Sequence, residues 1–132
     1  MRGFDYKSTI IVMTNSEFNE IFRKRTMHFA LKVIEFLETV PFNSATRVLS
    51  FQLGKAATSV GANFRAFCRA RSGNERYSKI CIVVEEADES VYWLEIFAQT
   101  SYGDKALLAW LIPESIEITK ITTSIKHSSA KY

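Results

Sequence analysis

Five carboxylates crowd one stretch of the chain: Glu85, Glu86, Asp88, Glu89 and Glu95. In a helical protein such a set raises the question of a di-metal centre, where Glu-x-x-His pairs supply ligands because the i, i+3 spacing aims both inward. That pattern is absent. His28 has Arg25 three residues before it and His127 has Ser124, so the acids read as a solvated or ion-paired face, and neither a metal nor another cofactor is expected. Nucleophilic chemistry has no better foothold. Neither histidine shares a motif with Cys68, Cys81 or a serine in a strained turn, and no glycine-rich phosphate loop occurs. The two cysteines lack CxxC spacing and are expected as buried thiols, not as a bridge or metal site. The chain is therefore not expected to be an enzyme.

The remaining chemically suggestive residues are basic. The net charge is only +3, but it is unevenly placed. Glu20 to Arg71 holds nine Lys/Arg and three acids, whereas Ser72 to Gly103 holds two Lys/Arg and six acids. Two readings compete. In one, Lys55 and Arg65 meet Glu89 and Glu85 across a helical hairpin, each pair contributing about 0–1 kcal/mol. In the other, nucleic-acid phosphates are bound by Arg65, Arg69, Arg71 and Arg76 around a turn, with Arg23, Lys24, Arg25 and Lys55 adding to the basic surface. Guanidinium suits phosphate because its planar fork donates two parallel hydrogen bonds. Phe64 and Tyr77 lie near enough in sequence to stack on bases, although a packing role is commoner for such rings. From residues alone the ion-pair reading carries more weight.

The elements that position these groups follow from hydrophobic spacing. A chain of 132 residues, 47% apolar and 23% charged, is the size of one domain and can bury about two-thirds of its unfolded surface without metal or disulfide help. The longest apolar run, Ala106 to Ile112, is far shorter than the roughly 20 residues a membrane span needs. The N-terminus lacks the order of a signal peptide, so a cytoplasmic protein with no membrane partner is expected.

Residues 1–13 carry no helical period and are expected as a flexible arm. A capping box at Thr14 and Glu17 opens helix one, about 15–40, with Phe22, Phe29, Val33, Phe36 and Val40 at three- and four-residue steps and Ala30, Ile34 and Leu37 widening the stripe. Helix two, about 44–71, has the seam Leu49, Leu53, Ala56, Val60, Asn63, Phe67. The polar Asn63 on that seam is expected to make an interhelical hydrogen bond and fix register. Beside the seam runs a line of small residues, Ser50, Gly54, Ala57 and Gly61. Each glycine costs roughly 1 kcal/mol relative to alanine, which close approach of another helix would offset, within the bundle or between subunits.

Ser72 to Glu75 combines a turn with a second capping box before helix three, about 75–102. There Tyr77, Val84, Val91 and Ala98 are spaced by seven, with Ile80, Ala87 and Leu94 between them. Gly103 fits a left-handed terminator. Asp104 can cap a short helix through Trp110, after which Pro113 breaks it and starts helix four, about 113–126, burying Ile118, Ile121 and Ile125. Ile116 and Ile118 fit a strand as well, but no partner strand exists, which favours helix. Residues 128–132 are expected to fray. The fold class is all-α, an antiparallel up-and-down four-helix bundle over residues 14–127.

The run Gln52 to Ala66 (QLGKAATSVGANFRA), the following Ala70-Arg71-Ser72, and Glu85 to Glu95 (EEADESVYWLE) resemble the four-helix-bundle family related to the proteins encoded in 23S rRNA intervening sequences of bacteria. The similarity is strongest from Arg25 to Ala98 and looser over the last helix. It implies a ring of bundles, a homopentamer in known members, with Gly54 and Gly61 on a packing surface. The family's link to ribosomal RNA rests on genomic position and a basic surface. One departure is Ala66, where many relatives carry a glutamate three residues after the seam asparagine.

The resulting expectation is an oligomeric accessory protein that binds structured RNA. The alternative is a scaffold or accessory subunit that docks an unidentified protein through the acidic face of helix three.

Overall fold

The computed structural model describes residues 14–129, which form four helices and no strand: α1 (Asn15–Leu37), α2 (Ser44–Cys68), α3 (Gly73–Ala98) and α4 (Lys105–Ser129). The expected N-terminal arm, and residues 130–132 of the expected tail, lie outside the described residues; Ser128 and Ser129 belong to α4.

Each helix begins where a side chain satisfies its first free N–H groups. Thr14 Oγ1 accepts from the Glu17 amide at 3.0 Å, while the Thr14 amide donates to the Glu17 carboxylate. Asn43 Oδ1 accepts from the amides of Ala45 and Thr46, both at 2.9 Å. Ser72 Oγ accepts from the Glu75 amide at 3.1 Å, but the second expected box is only half made, because the Glu75 carboxylate turns to the Arg71 amide. Asp104 caps α4 through the amides of Ala106 and Leu107.

Three helices stop about a turn before the expected ends, α1 and α3 where side chains intercept their last carbonyls. Thr39 Oγ1 donates to the Phe36 carbonyl at 2.6 Å, and Thr100 Oγ1 to that of Phe97 at 2.7 Å, joined there by Lys105 Nζ. Gly103 does adopt the left-handed conformation, at φ +82°, but in the α3–α4 loop and not directly behind the helix.

Cross-helix contacts run in opposite sequence order. A Cβ built on Gly54 would lie 3.4 Å from Leu37, and one on Gly61 3.4 Å from Thr26, so α2 rises as α1 falls. Arg25 with Glu114, His28 with Trp110, and Thr39 with Asp104 order α1 and α4 the same way. The four helices surround one core in which Phe22 meets Phe64 edge-on at 4.9 Å and Phe36 meets Phe97 at 5.1 Å. Fully burying each such ring contributes up to about 3 kcal/mol.

The line of small residues now has its partner: both glycines face α1 of the same chain. Replacing Gly61 by leucine is expected to destabilise the bundle by about 1–3 kcal/mol, since the extra atoms press on the backbone of Thr26. Alanine should be neutral or slightly stabilising, since its Cβ makes only ordinary contacts of 3.4–3.6 Å with Thr26 and its helix propensity is better by about 1 kcal/mol. Urea denaturation of both variants checks this.

Three sequence-based expectations are corrected. In α3, Ile80, Ala87 and Leu94 are buried as expected, but the companion line is Val83, Ser90 and Phe97, not Val84, Val91 and Ala98. Ser90 disguises that line; its hydroxyl is satisfied by the Glu86 carbonyl of its own helix at 2.8 Å. Among the described residues Asn63 bonds no other helix: its amide donates to the Ser59 carbonyl at 2.9 Å, and Phe64 takes the buried place. Pro113 does not break the chain into two helices. It removes one ladder bond and costs about 3 kcal/mol, yet α4 continues through it because Leu108, Leu111, Ser115, Ile118 and Thr122 form one unbroken buried stripe.

Candidate nucleic-acid interface

Antiparallel packing brings the start of α1, the end of α2, the start of α3 and the end of α4 to one end of the bundle. A cross-section through Thr26, Gly61 and Glu114 divides the charge sharply. Residues 14–26, 61–82 and 113–129 carry ten Lys/Arg and five Asp/Glu, whereas residues 27–60 and 83–112 carry four and eight. The difference between helices noted in the sequence is thus largely a difference between ends, about +5 against −4.

Arg65, Arg69, Arg71 and Arg76 are all exposed at the basic end. Among the described residues none of these four guanidinium groups has a carboxylate within ion-pair distance. Arg76 lies over the ring of Phe67, 4.7 Å from its centroid. Arg23 approaches from α1: Ser16, Asn19, Glu20, Arg23 and the α2 residue Cys68 line one shallow depression. Arg23 and Arg76 both act electrostatically on the Cys68 thiol, although burial, the larger influence, pushes that thiol up. Cys68 and Cys81 are free and half-buried, not fully buried.

Not every basic residue belongs to this end. Arg25 forks onto Glu114, with Nε at 2.8 Å from one carboxylate oxygen and Nη2 at 2.7 Å from the other. That bond holds the guanidinium still more firmly protonated, and its geometry ties α1 to α4 beside Pro113. Its charge is spent inside the fold. Lys55 stands ten residues before Arg65, about 15 Å along the helix axis, and faces the field of Glu86. Arg23 shares its charge with Glu20 through two bonds of 2.9 Å, and Lys24 lies 3.7 Å from the same carboxylate. The Glu20 carboxyl is held below the usual carboxylate range chiefly by its hydrogen bond from Arg23.

The expected pairs Lys55–Glu89 and Arg65–Glu85 do not occur among the described residues. The register of α2 on α3, fixed by Phe67 against Arg76, sets Lys55 near Glu86 instead. Phe64 is a core ring between Phe22 and Phe67 and offers bases nothing. Lys79 of α3 and Lys120 and Lys126 of α4 complete the basic end; the two on α4 are not legible in the sequence, because only the antiparallel arrangement carries the end of α4 there.

On the acidic half, burial, followed by repulsion from Glu89, pushes the Glu86 carboxyl up, against an opposing pull from Lys55. The folded chain therefore binds this proton more tightly than the unfolded chain does. The contribution of Glu86 to stability rises as pH falls through the raised folded value and levels off below the ordinary value of 4.5. Glu86→Gln is accordingly expected to melt above the parent at pH 7, with the difference vanishing under pH 4.5; melting curves across pH test this. Among the described residues no three His, Cys, Asp or Glu side chains converge to hold a metal, and no helix is long and apolar enough to cross a membrane.

Comparison with known proteins bears on this geometry. A family model described as "23S rRNA-intervening sequence protein" matches residues 19–124. A crystal structure described as a protein of unknown function from the S23 ribosomal protein family of Bacteroides thetaiotaomicron is 27% identical, superposes with a TM-score of 0.72, and the match covers 83% of this chain and 97% of that one. Among curated proteins nothing matches.

Proposed function

Because this chain belongs to the 23S rRNA-intervening sequence protein family, we propose that its basic end is an RNA-binding surface and that the protein is a non-enzymatic, oligomeric accessory of structured RNA. The observation that carries this reading is the set of four exposed guanidinium groups, Arg65, Arg69, Arg71 and Arg76, with no carboxylate partner among the described residues. Four surface arginines gathered at one end without a carboxylate partner among the described residues repel each other, whereas phosphates would neutralise them bidentately.

Self-association would multiply the effect. Met27, Leu31 and Ile34 make an exposed apolar stripe on α1, and Val48 and Phe51 one on α2, with Phe51 65% exposed. Such patches mark interaction surfaces. In a ring every subunit has the same orientation about the axis, so bundles standing along that axis would place all their basic ends on one face. The pentameric ring implied by resemblance would thereby become a polyvalent cationic surface.

The test is fluorescence anisotropy with a structured RNA at several salt concentrations. If one subunit neutralises about four phosphates, the logarithm of affinity should fall with the logarithm of salt at a slope of roughly −3 to −4. Absence of binding at low salt would overturn the reading, and capture of a basic protein sensitive to Glu85 and Glu89 would favour docking through the acidic half instead.

A further inference from the structure

At the basic end, between the first turns of α1 and the last turns of α4, lies an open cleft of about 200 Å³. That is below the roughly 300–1,000 Å³ of sites that enclose drug-sized ligands, so it suits one ring system whose remainder stays outside. Its apolar wall is made by Phe18, Phe67 and Ile125. Arg76, an exposed residue, borders it with its guanidinium group over the Phe67 ring, 4.7 Å from the centroid. Two half-buried polar side chains also line it, the Asn19 amide and the Ser124 hydroxyl, and neither bonds any group among the described residues. An amide offers donors and an acceptor at once, and a hydroxyl can serve as either. Planar stacking surface, edge-reading groups and surrounding phosphate-binding arginines together match the requirements of an unstacked nucleobase.

We propose that this cleft receives one unpaired RNA base, stacked on the Arg76 guanidinium and hydrogen-bonded along its edge by Asn19 and Ser124. The inference rests on the RNA-binding reading above and sharpens it: the preferred RNA has a loop, bulge or single-stranded end beside its phosphates. A continuous duplex can reach the arginines but cannot deliver a base.

The probes are a hairpin RNA with an unpaired loop, a blunt duplex of equal phosphate count, and the hairpin carrying 2-aminopurine in its loop. The full chain should bind the hairpin about tenfold tighter than the duplex at equal salt, within the range that stacking one base supports, and the 2-aminopurine emission should change on binding. Ser124→Phe, which fills the cleft, should abolish the preference while leaving duplex affinity intact. Asn19→Ala, which leaves an open surface, gives the same test should the larger residue disturb folding, and should reduce the preference severalfold. Equal affinity for hairpin and duplex, or a preference unchanged in both variants, would overturn the base cleft while leaving RNA binding standing. Failure to bind either RNA would instead remove the reading on which the cleft depends.

Discussion

Reversing two charges together, Arg69→Glu with Arg71→Glu, is expected to weaken binding of a structured RNA at least about a hundredfold at moderate salt. A hydrogen bond between charged partners contributes about 1.5–3 kcal/mol, close to tenfold or more for each guanidinium lost, and the introduced carboxylates add repulsion. Both arginines are exposed and their side chains have no carboxylate partner among the described residues. Melting should therefore change little, since surface substitutions away from such pairs stay within about 0.5 kcal/mol. The control is Arg47→Glu near the start of α2, also exposed, in the acidic half of the bundle. It makes the same change at a single site and should alter affinity less than about threefold, as charges beyond a Debye length are screened. Titration of all variants at one salt concentration separates a local site from a general effect of net charge.

The largest effect on stability is expected at Gly103→Ala. Gly103 sits at φ +82°, where an L-residue pays about 1–2 kcal/mol. Its Cβ would also come within 2.6 Å of the Phe36 ring. Phe36 cannot swing aside cheaply, being wholly buried and packed edge-on against Phe97. Overpacking of this kind adds about 1–3 kcal/mol, so the loss should total about 3 kcal/mol and lower the melting temperature by roughly 10 °C. Gly54→Ala is the matched control: its Cβ meets Leu37 at an ordinary 3.4 Å within a helix, and it should be neutral or slightly stabilising.

The helices were legible wherever apolar spacing and caps agreed. Phe22, Phe29, Val33 and Phe36 announced the buried side of α1, and Thr14 with Glu17 its start. Legibility failed where polar residues occupy the core by bonding their own helix. Ser90 hid the Val83–Phe97 line, and Ser115 and Thr122, whose hydroxyls donate to Ile112 and Ile118, hid the stripe that carries α4 through Pro113. In the fold that buried stripe outweighs the local chemistry of Pro113, and α4 stays one helix. At the candidate interface, Arg65 to Arg76 could be found because they cluster around one turn. Arg25 looked equivalent to Arg23 and Lys24, since nothing local reveals that Glu114, 89 residues away, takes up its fork. The basic contribution of α4 and the cleft beside it required the fold, because they join the two ends of the described chain.

The central claim, that RNA docks on the end of the bundle bearing Arg65 to Arg76, is tested most directly by amide hydrogen exchange with and without a loop-bearing RNA. Helix termini exchange readily because they open locally, so a ligand there leaves a clear footprint. Slowed exchange is predicted around residues 65–76, with smaller effects at the start of α1 and the end of α4, and no change around residues 86–104. Protection confined to the acidic half, or an exchange pattern unchanged by saturating RNA, would contradict the account.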